Sequence, residues 1–372
     1  VLGLSLLVTL EAGLRLAGFN RAPVDLPLIV WNQAEDALLS EHSYLFQSDL
    51  RTLWSPRAGA RIPYPELVEE ERINESGYRG PLVERERVPG ALRIVTLGDS
   101  STFSVGVPYG STYSAQLAAE LKAAPNGAAT LVEVIDGGVD GFTIIQGLQR
   151  YRHFARKFRP DIVVVAFGAV NEHWPALDGI GDAEKLETQA HRAQVFQRFQ
   201  RGVRRHSRLA QALHLMIDPQ WQKRLTDRYA RMRKDMRAAG DSGSGQDDWP
   251  GRRRVSLGEF TSALDVFARE VAADRSRLIL IANPRRKDAE LGFPVLSRYT
   301  ETLLEAAHRN GVQILDARSR FHRELERGAN EDELFIGDLW HPNSRGHASI
   351  ARWLVPMVLD KTRRVGLDPL DD

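Results

Sequence analysis

The sequence predicts an α/β fold, a three-layer α/β/α sandwich around a five-stranded parallel sheet, with an N-terminal extension and a helical insertion. Two observations predict it. Five short aliphatic and β-branched runs, 93–97, 132–136, 161–167, 277–282 and 312–315, are bounded by polar or glycine-containing segments, as strands buried on both faces are. Stretches with apolar residues every three or four positions alternate with them, at 114–124, 144–158, 259–273, 296–309 and 345–359. Such alternation calls for right-handed crossovers that lay helices on both faces of a parallel sheet. Ligands then bind beyond the carboxyl ends of the strands.

Taken in order, residues 1–10 are apolar apart from Ser5 and Thr9, and Glu11 and Arg15 interrupt a hydrophobic stretch reaching Phe19. Ten residues are too few for a bilayer, which takes about 20. Because the chain starts at valine, 1–19 reads as the remnant of a truncated signal anchor or signal peptide, the alternative being an amphipathic helix packed on the domain. Residues 20–92 read as an extension with several prolines, in which the string Arg72-Ile73-Asn74-Glu75-Ser76-Gly77-Tyr78-Arg79-Gly80-Pro81 has turn character. The main domain covers 93–362 and is broken by an insertion at 176–254. There, apolar residues recur at helical spacing among arginines such as Arg198, Arg201, Arg204 and Arg205, followed by a Gly/Ser-rich stretch at 240–248. This segment reads as a basic cap over the site or a surface for anionic lipid head groups, or else as a solvated hairpin.

Apolar residues at 42% and charged residues at 27% of 372 describe a globular chain with a sizeable core. A formal net charge of +1 gives no field that would draw nucleic acid. The absence of cysteine excludes disulfides and thiolate catalysis.

Chemistry concentrates in two strings. Gly98-Asp99-Ser100 follows the first strand and Asp338-Leu339-Trp340-His341 lies near the C-terminus. A serine at a strand end, with an aspartate and a histidine three residues apart, supplies nucleophile, base and orienting carboxylate. The plainer reading of the first string is a turn with Asp99 capping the next element, and Ser101 is an adjacent alternative nucleophile. Pro342 fits the start of the terminal helix. His341 and His347 with Asp338 would lack a third strong ligand for zinc. His173 and Trp174 fall near the pocket or in packing.

Between these strings, a strand ending in Gly137-Gly138 and another ending in Gly168-Ala169-Val170-Asn171-Glu172 follow in order. With these blocks the chain resembles the SGNH (GDSL-type) hydrolase family over roughly residues 93 to 358. The string at 74–80 is similar to one in membrane-anchored bacterial members. The third block departs from the family's Gly-x-Asn-Asp by one extra residue before Asn171.

The resemblance implies a flavodoxin-like sandwich and a serine esterase with Ser100, Asp338 and His341 as its triad. It also implies an oxyanion hole of the Ser100 N–H, the Gly138 N–H and the Asn171 side-chain amide. Gly138 is preferred to Gly137 because the family's glycine precedes x-x-Gly, here ending at Gly141. No cofactor or metal is required. The implied substrate is an O-acyl ester, such as acetyl, on a carbohydrate or lipid. The implied location is the bacterial cell envelope, anchored to the inner membrane through the N-terminus, periplasmic or secreted. An O-acyltransferase with the same triad, or a catalytically silent glycan- or protein-binding domain, are the alternatives.

Overall fold

The computed structural model describes residues 2–19, 45–124 (apart from 63, 65, 66 and 68), 131–191 (apart from 169, 175, 177 and 178), 207–217 and 252–360. Most of the extension's start, and the 195–206 and 218–248 parts of the arginine-rich insertion, lie outside them.

The chain opens with helix α1, Leu2–Leu16. At 15 residues it is about 22 Å long, against roughly 30 Å for a bilayer core. Among the described residues no helix is long and apolar enough to cross a membrane. A small antiparallel hairpin follows, β1 (Phe46–Asp49) and β2 (Leu53–Pro56). The hairpin is absent from the sequence reading, because Phe46-Gln47-Ser48-Asp49 carries no β-branched residue and its turn no glycine. From Leu45 to Tyr78, the residues Phe46, Trp54, Ile62, Tyr64 and Ile73 join the main core.

The main sheet contains β3 (Leu92–Gly98), β4 (Val132–Asp136), β5 (Ile162–Ala166), β6 (Arg277–Ala282) and β7 (Gln313–Asp316). Their spatial order is β4-β3-β5-β6-β7 and every pairing is parallel. The order reverses between β3 and β5, and a crevice beyond the strand ends at such a reversal is where open sheets bind ligands.

The helices are α2 (Ser100–Phe103), α3 (Tyr113–Ala123), α4 (Ile144–His153), α5 (Asp182–His191), α6 (Arg208–Ile217), α7 (Leu257–Ala273), α8 (Lys287–Gly292), α9 (Val295–Arg309), α10 (Ala317–Glu326) and α11 (Ser344–Leu359). Strand alternation divides the core in two. Val95, Leu97, Val163, Val165 and Leu280 face α4, α7 and α9. Ile94, Val164, Ala166, Ile279 and Ile281 face α3, α10 and α11. Consecutive residues of one buried strand serve opposite layers, so β5 and, after Arg277, β6 read as unbroken apolar runs.

Caps fix where helices start. Ser256 and Glu259 form a reciprocal capping box on α7. Asn343, not Pro342, caps α11, its side chain accepting from the N–H groups of Arg345 (3.0 Å) and Gly346 (3.1 Å). Proline can satisfy no orphan N–H, which is why the cap falls one residue later.

The two ends of the insertion are stitched together. Ala176 N–H donates to Arg252 O (2.7 Å), Arg254 N–H to Trp174 O (2.7 Å) and Asp182 N–H to Arg254 O (2.9 Å). The buried Arg254 guanidinium also holds Asp182 Oδ2 at 2.8 Å.

Candidate active site

β3 ends at Gly98, where the chain turns at once into α2. A Cβ at Gly98 would stand 1.9 Å from Thr102 Oγ1 and 2.8 Å from Ala166 O, so only glycine permits this tight turn. Asp99 caps α2, accepting from Ser101 N–H at 2.9 Å. Asp99 therefore caps the helix whose first residue is Ser100.

Ser100 is the first residue of α2, and its Oγ lies 2.8 Å from His341 Nε2. The opposite ring nitrogen, Nδ1, lies 2.5 Å from Asp338 Oδ2. Asp338 Oδ1 accepts from the N–H groups of Trp340 and His341, each at 2.9 Å, which shapes the 338–341 turn. This turn is closed by Ile336 N–H donating to His341 O at 3.0 Å.

Burial by itself would depress the His341 pKa. The Asp338 charge and hydrogen bond, with Asp140 and Asp99, instead push it above the ordinary histidine value. Burial would raise Asp338, but His341 and the two backbone donors hold it below the usual carboxylate range.

Gly138 follows β4 and Asn171 follows β5. A Cβ on Gly138 would meet Phe103 N at 2.3 Å, so the glycine turn packs directly on the backbone of α2. Its N–H donates to Asp136 Oδ1 at 3.1 Å. Asn171 Nδ2 donates to Phe142 O at 3.0 Å, which leaves its second hydrogen. Thus Ser100, His341 and Asp338 form one hydrogen-bonded chain, while Gly138 and Asn171 follow the two strands that flank β3, the Gly138 N–H and one Asn171 amide hydrogen being engaged by protein acceptors.

His173 and Trp174 are 0% and 7% exposed and pack with Phe293 at ring distances of 5.1 and 5.7 Å, which makes them interior side chains. Trp340, next to His341, leans on the same Phe293 at 5.8 Å. His347 is buried and stacked on Tyr113 at 5.9 Å, and burial pushes its pKa down to about 3, so it stays neutral. Among the described residues no three His, Asp or Glu side chains are grouped to hold a metal ion.

A family model described as the GDSL-like lipase/acylhydrolase family matches residues 96–349. The chain belongs to this family. The GDSL hydrolase therefore acts on ester bonds. Solved structures similar to it include LAE5, an α/β hydrolase from the metagenome of Lake Arreo, Spain, at 20% identity over 72% of this chain and 94% of that one, TM-score 0.44. Another is the acetylxylan esterase Axe2 of Geobacillus stearothermophilus, at 16% identity over 72% and 93%, TM-score 0.44. A third is a lipase/acylhydrolase from Enterococcus faecalis, at 16% identity over 72% and 95%, TM-score 0.43. No curated protein matches the chain.

Sequence reasoning named Asp99 and Glu172 of the GDSL hydrolase but not the protonation behaviour that burial gives them. Glu172 is fully buried and accepts from Ile144 N–H at 2.8 Å. Burial, with the like charge of Asp99, pushes Glu172 up to about 7. Burial also pushes Asp99 up to about 6. A carboxyl whose pKa is raised on folding binds its proton more tightly in the native state. Stability from Glu172 is therefore present at low pH and lost as pH rises from its ordinary value of 4.5 to about 7. A shift of that size is worth roughly 3 kcal/mol. Thermal unfolding from pH 5 to 8 should show a steeper loss of Tm in the wild type than in Glu172→Gln. Parallel curves would contradict this role.

Proposed function

We propose that the chain is a serine esterase that cleaves an O-acyl ester, such as acetyl, on a carbohydrate or lipid through Ser100, His341 and Asp338. The observation that carries the reading is the unbroken chain from Ser100 Oγ through both ring nitrogens of His341 to Asp338. In this reading His341 Nε2 takes the hydroxyl proton as Ser100 Oγ attacks the ester carbonyl. Asp338 holds the imidazole tautomer and stabilises the imidazolium that forms. The tetrahedral intermediate collapses as His341 protonates the leaving alcohol. Water, activated by the same histidine, then releases the acyl group and restores the serine.

The oxyanion would be met by the Ser100 N–H, an orphan donor by its place in the first turn of α2, and by the free hydrogen of Asn171 Nδ2. The Gly138 N–H would join them by sharing or releasing Asp136 Oδ1. Each such donor is worth about 10² to 10³ in turnover. The partly buried Trp340, braced by Phe293 beside His341, supports a substrate with a flat apolar face such as a sugar ring.

A fluorophosphonate should label Ser100, and acetylated sugars should be hydrolysed faster than long-chain esters. Absence of label would point to a silent binding domain. Label with acyl transfer to a sugar but negligible hydrolysis would point to an acyltransferase.

This reading also takes 93–362 as the catalytic domain, with 20–92 as its extension and 176–254 as an insertion. A cell-envelope location is part of the same reading. It is supported by α1, where Leu4, Leu6, Leu7, Val8 and Leu10 are 45–71% exposed to solvent. Recovery of the protein from the soluble cytoplasmic fraction, with a C-terminal phosphatase fusion inactive, would refute that location.

A further inference from the structure

Two buried guanidinium groups hold the backbone on which the candidate site is built. Arg79 is 2% exposed, and all five of its N–H donors are used. Nη1 donates to the carbonyls of Phe103 (2.5 Å) and Ser104 (2.8 Å), and Nη2 to that of Val107 (2.5 Å). Nε and Nη2 share Glu71 Oε2 at 3.0 and 2.6 Å. Phe103 is the last residue of α2 and Ser104 its C-cap, in the left-handed conformation at φ 61°. Arg79 thus satisfies the carbonyls that a helix leaves unpaired at its C-terminus, in the one-turn helix that begins with Ser100.

Arg150, also 2% exposed, donates from Nε to Gly137 O and from Nη2 to Gly77 O, both at 2.9 Å, and lies 4.5 Å from the Tyr78 ring centre. Gly137 C=O and Gly138 N–H belong to one rigid peptide plane. A bond that fixes the carbonyl fixes the direction of the N–H and, by polarising the amide, strengthens it as a donor.

Gly77 and Arg79 come from one turn folded on Asn74, whose Oδ1 accepts from Ser76 N–H (3.0 Å) and Tyr78 N–H (3.1 Å). Asn74 Nδ2 donates to Gly80 O at 3.1 Å. The Arg79 backbone also bridges Asp136, at the end of β4. A single turn outside the sheet therefore braces both the nucleophile helix and the glycine peptide.

We propose that Arg79 and Arg150 are positioning residues for ester hydrolysis, Arg79 setting the place of Ser100 and Arg150 the plane of the Gly138 N–H. This rests on the reading of Ser100 as nucleophile and Gly138 as an oxyanion donor. Misplacement of a reacting atom by about 1 Å can cost 10²-fold in rate, whereas a purely structural arginine would lower only the amount of folded protein.

The test measures Arg79→Lys, Arg79→Gln, Arg150→Lys and Arg150→Met. Active sites are titrated with a fluorophosphonate, so that kcat is expressed per titrated serine. The Lys variants should lose about 10-fold and the uncharged variants about 10²-fold in kcat per site, with KM little changed. A kcat per site within about twofold of wild type, with the loss confined to titrated fraction or Tm, would overturn the proposal. If the arginine variants do not fold, Glu71→Gln, which leaves Arg79 in place without its charged partner, should lower kcat per site several-fold. An unchanged value there would equally overturn it. Failure of the underlying reading is separate, since it would show as wild-type protein labelled elsewhere than Ser100.

Discussion

Ser100→Ala is expected to lower kcat for ester hydrolysis by about 10⁴- to 10⁶-fold and to abolish fluorophosphonate labelling. The hydroxyl contributes one hydrogen bond, to His341 Nε2 at 2.8 Å. Its loss should cost about 1 kcal/mol of stability, a small change in Tm for a domain of this size. The control is its neighbour. Ser101 meets its capping residue Asp99 through the backbone N–H, which donates to Asp99 Oδ1, so Ser101→Ala should retain most activity. Exchange of the two results would move the nucleophile to Ser101.

His341→Ala should be as damaging as Ser100→Ala, and the double variant scarcely worse, because a base without a nucleophile has nothing to activate. Asp338→Asn should cost about 10⁴-fold, a magnitude taken from the corresponding change in a well-studied serine protease, and its pH profile is more telling than its rate. His341 must be neutral to accept the serine proton, and its native pKa lies above the ordinary value of about 6.5. Activity should therefore fall as pH drops through that raised pKa, while Asp338, held low, stays ionised throughout. Removing the Asp338 charge takes away the main influence that raises His341, and the acidic limb of kcat/KM should shift to lower pH. A limb that stays in place in Asp338→Asn would mean that another group governs the profile.

The sheet was legible because β5 and β6 are apolar on both faces and β3 and β4 largely so, a pattern that needs no tertiary information. The β1–β2 hairpin and α10 were not. Ala317–Glu326 buries only Ala317 and Phe321 among charged residues, too few to stand out as a periodic face. In the site, Ser100, Asp338 and His341 could be named because their chemistry depends on residue type and short spacing. Arg79 and Arg150 could not, since their partners are carbonyls of Phe103, Ser104, Val107, Gly77 and Gly137. A backbone acceptor leaves no mark in a sequence. The protonation behaviour of Glu172 left no mark either, because its raised pKa arises from burial that adjacent residues do not disclose.

The stitching of 174–182 to 252–255 bears on how this scaffold can vary. The chain departs and returns through one closed neck, so the length of what lies between is decoupled from the sheet. Each doubling of a flexible excursion costs only about 0.6 kcal/mol of closure entropy. Material grafted, trimmed or exchanged beyond the neck leaves the strands and the serine where they are. Length and sequence are thereby free to drift on one side of Arg254 while folding is inherited unchanged on the other.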